Sequence, residues 1–478
     1  MTLAPISTEI LQCLTTQQAW HYSILPYKRE NGCLSLYVAA DQDAAGLEEE
    51  LEVLLGQAIE LTPHEPEALR KAIAQHYRKN ANQGPRVKGL NLDANQSKDL
   101  LLKLVQEAQQ LGSSDIHMEP YENNARIRMR VDGVLLERYL LSKLEYPSLV
   151  NKIKIQANLD IAEKRLPQDG RILFKLNDKD RFDIRVSMLP TLHGEKVVLR
   201  LLSNSNSYIE LSQLGFGSRD LEDYLDGIQK PNGMVLISGP TGSGKTTTLY
   251  ATLQLLNKTT RNVVTIEDPI EYTLEGINQV QLRENIGFDF PSALRTFLRQ
   301  DPDIIMVGEI RDRPTASMAI RASLTGHLVL STIHTNSAWG IIPRLADMEI
   351  PTFLLADTLN TAVAQRLVRL LCPHCSKPAK LDPKLFPRRY TPPRPVVQHH
   401  RPVGCEQCYF TGYRGRKAVY EVITIDSELA TEIKSGNFAV SHLLQERGIK
   451  SLADNAFELL EAGRTSIEEV YPILATSS

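Results

Sequence analysis

GPTGSGKT, residues 239–246, decides the reading of this chain. It fits Gly-x4-Gly-Lys-[Ser/Thr], and it stands where that pattern needs to stand, after the apolar run MVLIS and before the helical pattern TTLYATLQLL. Gly242 and Gly244 let backbone N–H groups converge on phosphate oxygens, and the start of the following helix adds the positive end of its dipole. Lys245 supplies a point charge to the β- and γ-phosphates, and the Thr246 hydroxyl is placed to coordinate Mg²⁺. Gly239, Pro240, Thr241, Ser243 and Thr247 complete the candidate nucleotide-binding set. A glycine turn that merely capped a helix would not require Lys-Thr at these two places.

Working outward, short apolar runs alternate with helical patterns: MVLISG, VVTIED, DIIMVGE and HLVLSTIH. That rhythm predicts a mainly parallel sheet covered by helices, whose strand ends converge on one crevice. Three segments follow strand ends and join the P-loop there. TIEDPIEY (265–272) brings Glu267, Asp268 and Glu271, VGEIRD (307–312) brings Glu309 and Arg311, and TGHLVLSTIHT (325–335) brackets a strand with His327 and His334. Each alone is weak, since acids after strands are often solvated and a single histidine is more often structural. Where an Asp usually precedes the acid of such a strand, this chain has Gly308. Which group serves the metal and which the water is left open between Glu309, Glu267 and Glu271.

The totals are those of an ordinary globular protein. The 478 residues suit three or four domains, with 42% apolar and 23% charged residues. A net charge of −3 gives no overall basic field for nucleic acid. The start, MTLAPISTEI, lacks the pattern of a signal peptide, and no apolar run approaches the roughly 18 residues that span a bilayer, so a cytosolic protein is expected. Of six cysteines, Cys13 and Cys33 are isolated. The other four form C-x2-C-x29-C-x2-C: Cys372, Cys375, Cys405 and Cys408. Four thiolates suit a closed, structural Zn²⁺ site better than disulfides in a chain without an export signal. The Pro- and Arg-rich stretch between the pairs reads as a loop, with His399 and His400 exposed on it.

Six segments follow. They are a small N-terminal domain (1–80), a polar linker (81–97), an α+β domain (98–206) with a hairpin signal at Asp132-Gly133, an α/β core (207–368), a tetra-cysteine subdomain (369–422) and a helical end (423–478).

LRQDPDIIMVGEIRD (298–312) resembles the signature of the ATPases that drive type II secretion and type IV pilus assembly. TIEDPIEY, TGHLVLSTIHTN, LPQDGRI, MLPTLHGEKVVLRLL, the CxxC pairs and CxxGYRGR extend the likeness over roughly residues 95–470. In that family the Walker B-like strand typically ends in Gly-Glu, so Gly308 is ordinary for it. The resemblance implies a RecA-like ATPase core preceded by a PAS-like α+β domain. ATP, Mg²⁺ and Zn²⁺ are the implied cofactors. Glu309 would act near Mg²⁺, with Glu267 or Glu271 sharing the handling of the attacking water. Arg185 and Arg200 would reach a nucleotide across a subunit boundary in a homohexamer; Arg295 and Arg311 are further cations. His334 is implied in catalysis and His327 in nucleotide contact. The implied partners are an inner-membrane platform protein and a membrane-anchored docking protein bound by residues 1–80. The length of the N-terminal region and the 29-residue gap point toward secretion, with pilus assembly as the alternative. A nucleic-acid motor with a zinc ribbon is opposed by the net charge and by the lack of an aromatic-rich basic stripe. A retraction motor is opposed by the CxxC insertion.

Overall fold

The computed structural model describes residues 10–476 except 11–12, 15, 31–32, 41–43, 56–57, 77–87, 90–96, 176–180, 204–208 and 397. The chain divides into two compact units, 1–88 and 89–478. Most of the expected linker lies outside the described residues.

In the first unit, strands Ile24–Glu30 and Cys33–Ala39 pair antiparallel, and Ala58–His64 joins the second of them in parallel. A parallel neighbour needs a crossover, and the helix Ala44–Leu55 supplies it. Leu25, Leu34, Leu36, Leu51 and Ile73 are buried in its core.

The second unit begins with an antiparallel sheet. Six of its strands run in the order Val134–Ser142, Asn124–Val131, Asp115–Pro120, Gly194–Ser203, Arg181–Thr191, Gln168–Lys175. Helices Ser97–Gln110 and Tyr146–Gln156 cover it through Leu101, Leu104, Leu149 and Ile153. The hairpin forms where Asp132-Gly133 predicts it. Val131 faces Val134, and φ values of 49° and 86° at the two turn residues give the mirror-image turn that matches strand twist. Two buried acids tie the sheet together. The Lys154 ammonium, fully buried, lies 2.6 Å from Glu195. Glu119 accepts from Arg126 and Arg128 and pairs with Lys196 at 3.2 Å. Burial opposes ionisation of Glu119, but Arg128, Lys196 and Arg126 outweigh it and bring the carboxyl down to about 2. A depressed carboxyl stabilises the fold fully above its unfolded pKa near 4.5 and stops doing so as pH falls through 2. Glu119→Gln is therefore expected to cost about 1–2 kcal/mol at pH 7 and to remove that share of acid sensitivity, checked by urea midpoints between pH 2 and 7.

Among the described residues the core sheet has seven strands, in the order Asn278–Gln281, Val263–Glu267, Ile304–Val307, Leu328–Ile333, Gly233–Ser238, Leu359–Leu371, Tyr413–Thr424. All neighbouring pairs are parallel except the last. Gly233–Ser238 and Leu328–Ile333 are buried at every position, as strands covered on both faces must be. Leu236 and Ile305 face one core with helices Phe290–Phe297 and Arg313–Leu324; Val235 and Ile237 face the other with Tyr224, Leu249 and Tyr250.

Two strands depart from the sequence reading. Leu359–Leu371 and Tyr413–Thr424 carry the core sheet across the expected boundary at 368, so the tetra-cysteine segment is an excursion between two adjacent core strands. That segment is also more ordered than a loop. Lys377–Lys380 pairs with Gln398–Arg401, and Phe386 and Tyr390 lie 6.4 Å from Phe457 of helix Leu452–Glu461. His399, expected in solvent, is buried opposite Ala379, and this burial pushes its imidazole below the usual range.

Candidate active site

The P-loop turns over the carboxyl ends of the core strands. Gly244, at φ 89°, caps helix Lys245–Leu256, a conformation that L side chains rarely adopt, and an added Cβ there would stand 2.8 Å from Gln365. The Lys245 ammonium donates to the carbonyls of Gly239 (2.7 Å) and Pro240 (3.1 Å). Burial lowers its pKa, Glu309 opposes that shift, and Arg366 adds to it. Thr246 and Thr247 are exposed at the helix start, free to meet a ligand, whereas Thr248 is buried against Gln365 at 2.9 Å.

The carboxylates separate by environment. Glu267 is 4% exposed and fully engaged: it accepts from the Tyr250 hydroxyl, from Thr265 Oγ1 at 2.6 Å and from Gln279 Nε2 at 3.1 Å. Glu309 is 18% exposed; it pairs with Arg311 and lies 3.5 Å from His334 Nε2. Arg311 also lies 3.7 Å from Asp268. Glu271 is held by Arg185 at 3.2 Å, and the same guanidinium donates to the Ile270 carbonyl. The arginine thus ties the antiparallel sheet to the core inside one chain. Arg200 is 57% exposed and anchored through Nε to Asp115 at 3.0 Å, on a strand of the preceding domain that is paired on both sides.

Gly308 has a local reason. A Cβ there would sit 3.3 Å from the Ile266 carbonyl and 3.5 Å from the Glu267 Cα. An aspartate at this position would crowd the strand that carries Glu267.

The P-loop, Glu309, Arg311 and His334 come together at the carboxyl ends of three central strands. His327 does not join them. It precedes Leu328 at the opposite end of the strand, where its Nδ1 lies 2.8 Å from the Ala322 carbonyl and its own carbonyl accepts from Gly233. Arg295 sits in the last turn of Phe290–Phe297, exposed. Sequence reasoning missed Tyr250, Gln279 and Arg366. Tyr250 and Gln279 look like ordinary helix and strand residues until the fold closes them on Glu267.

The four cysteine sulfurs all lie within 4.8 Å of one another, with Cys372–Cys405, Cys375–Cys408 and Cys405–Cys408 at 3.9, 3.7 and 3.8 Å. Four sulfurs about 2.3 Å from a tetrahedral Zn²⁺ stand about 3.8 Å apart, so the donor set fits that ion. The Gly404 N–H points at Cys375, and those of Cys405 and Gly412 at Cys408, at 3.2–3.3 Å. Burial opposes ionisation of Cys408, yet these N–H groups and the neighbouring thiols bring it down to about 7.

Fold and site together define a RecA-like P-loop ATPase. A crystal structure of the pilus retraction motor PilT with bound ADP is similar, with a TM-score of 0.53 and 25% identity, covering 78% of this chain and 96% of that one. The Legionella pneumophila ATPase DotB shares the fold at a TM-score of 0.60 and 23% identity, covering 79% of this chain and 95% of that one. The chain belongs to the family described as Type II/IV secretion system protein, which it matches over residues 91–472. A type IV pilus assembly ATPase, PilB of Myxococcus xanthus, is 40% identical over 97% of this chain and 86% of its own length. The type II secretion system protein E of Pseudomonas aeruginosa is 47% identical over 78% of this chain and 74% of its own. The type II secretion system ATPase E of Vibrio cholerae is 44% identical over 79% and 75%. The protein is accordingly an ATPase of the secretion and pilus-assembly group.

Proposed function

We propose that the protein is the motor ATPase of a type II secretion apparatus, hydrolysing ATP to drive assembly of pilin-like subunits. The observation that carries the reading is the convergence of Lys245, Glu309 and His334 at the carboxyl ends of the central strands in a chain of this family. Lys245 and the loop N–H groups would hold the phosphates. Mg²⁺, held by Thr246 with Glu309 directly or through a water, would neutralise charge on the β- and γ-oxygens. Glu309 is the carboxylate with room to orient the attacking water, and Glu267 serves as the buried post that fixes Tyr250 and Gln279 around it. Glu271, locked to Arg185, is a positioning group.

The working form is a homohexamer, in which Arg200 of one subunit meets the nucleotide of the next. Its exposed guanidinium, held at one nitrogen, supports that role. Residues 1–80 dock a membrane-anchored partner, and the moving domains act on an inner-membrane platform protein from the cytoplasmic side. No helix among the described residues is long and apolar enough to cross a membrane. Zn²⁺ in the four-cysteine site is structural.

One observation favours pilus assembly instead: the likeness to PilB runs through the N-terminal region as well as the core. A deletion strain complemented with wild type or with Lys245→Ala separates the two. Secreted protein lost with pili intact is the expected result for a secretion motor. Pili lost with secretion intact would reassign the protein to pilus assembly, and full rescue of both by Lys245→Ala would remove the motor reading.

A further inference from the structure

Arg366 emerges beside the P-loop because strand Leu359–Leu371 runs parallel to Gly233–Ser238, with Ala364 opposite Ser238. Its guanidinium is half-buried and donates to two neutral carbonyls, Gln365 at 3.0 Å and Asn336 at 2.9 Å. Among the described residues no carboxylate lies within ion-pair distance of it. Glu421, the acid whose charge it feels, is buried and spent on the N–H groups of Ala338 (2.8 Å) and Leu452 (3.1 Å). Lys245 and Arg366 therefore stand as two partly buried cations on one flank of the loop, with Arg366 raising the cost of charging Lys245. Such a pair is stabilised by a polyanion.

The geometry indicates which part of a polyanion. Lys245, whose place is on the β- and γ-phosphates, is now parked on the carbonyls of Gly239 and Pro240. Arg366 flanks the same Gly239: a Cβ at that position would lie 3.2 Å from its Nη1, and it is excluded by the Gln365 carbonyl at 2.5 Å and Ser243 Oγ at 2.6 Å. A cavity of about 570 Å³ joins Gly239, Pro240, His334 and Asn336 to Arg366 and to helix Ile467–Thr476.

We propose that Arg366 is a γ-phosphate ligand supplied within the chain, which distinguishes ATP from ADP and reports the difference to the segment 334–338. On this reading its fork leaves the carbonyls of Gln365 and Asn336 for phosphate oxygens, a trade of neutral hydrogen bonds for charge-assisted ones. Release of Asn336 loosens one side of the segment that carries His334, while Glu421 keeps the other side fixed at Ala338. The proposal rests on the P-loop reading given above.

The test is Arg366→Gln in the full chain, titrated with Mg²⁺ and either a non-hydrolysable ATP analogue or ADP. The expected result is a loss of about 10- to 100-fold in affinity for the analogue with ADP affinity within about threefold. Hydrogen exchange at 334–338 is expected to differ between the two nucleotides in wild type and to become alike in the variant. Arg366→Lys, which keeps the charge without the fork, is expected to fall between. Equal losses for both nucleotides would make Arg366 a structural residue, and no loss for either would leave it on its carbonyls; both overturn the proposal. Retained binding of both nucleotides by Lys245→Ala would instead overturn the P-loop reading itself.

Discussion

Glu309→Gln is expected to bind ATP about as well as wild type and to hydrolyse it about 10²–10⁴-fold more slowly. The substitution keeps shape and hydrogen-bonding reach but removes the negative charge. The P-loop, which carries binding, is untouched: Lys245 keeps its carbonyl contacts and Thr246 its exposed place at the helix start. What is lost is a carboxylate that is neither saturated by hydrogen bonds, as Glu267 is, nor tied to a neighbouring domain, as Glu271 is. Phosphoryl transfer depends on placing the water and balancing charge, so a deficit confined to turnover is the mark of a group that acts after binding. Single-turnover hydrolysis beside equilibrium binding measures both. Near-normal turnover in the variant would transfer the role to Glu267 and prompt the same experiment with Glu267→Gln.

The second large effect is expected at the cysteines. Purified wild type should carry one zinc per chain, and the pair Cys375→Ser with Cys408→Ser should carry none. Structural zinc sites contribute on the order of 10 kcal/mol to the segments they close, more than the apolar contacts of so small an excursion supply. Hydrogen-exchange protection across 372–412 is therefore expected to collapse in the double variant. The strands Gly233–Ser238 and Leu328–Ile333 should keep theirs, because their burial is independent of the sulfurs. Wild-type protein free of zinc, or a double variant as protected as wild type, would show the fourfold sulfur cluster to be a packing motif only.

The parts of the site legible in the sequence are those written locally. GPTGSGKT sits with its strand, its turn and its helix within 24 residues, and Asp132-Gly133 specifies its hairpin by backbone conformation alone. Glu309 and His334 could be placed because each directly follows an apolar strand. His327 could not, because flanking a strand does not say which end faces the crevice, and its strand starts at the far side. Arg366 was invisible for a related reason. Its strand, LNTAVAQRLVRLL, is broken by polar side chains, and its parallel partner lies more than a hundred residues earlier. The tetra-cysteine boundary moved because Tyr413–Thr424 reads, in isolation, as a continuation of the cysteine motif, and only antiparallel pairing with Leu359–Leu371 assigns it to the core.

The way the cysteine segment leaves and re-enters the core has a consequence for modularity. Cys372 donates its backbone N–H to the Gly412 carbonyl at 2.9 Å, so the 39 residues between them depart and return through one doorway. To the sheet this is a hairpin whose turn happens to be long. Loop-closure entropy grows only with the logarithm of length, so the segment can be lengthened, shortened or exchanged with small effect on strand pairing. The motor core and the surface this segment displays are thus free to diversify separately, and the same doorway offers a port for a reporter or an affinity handle.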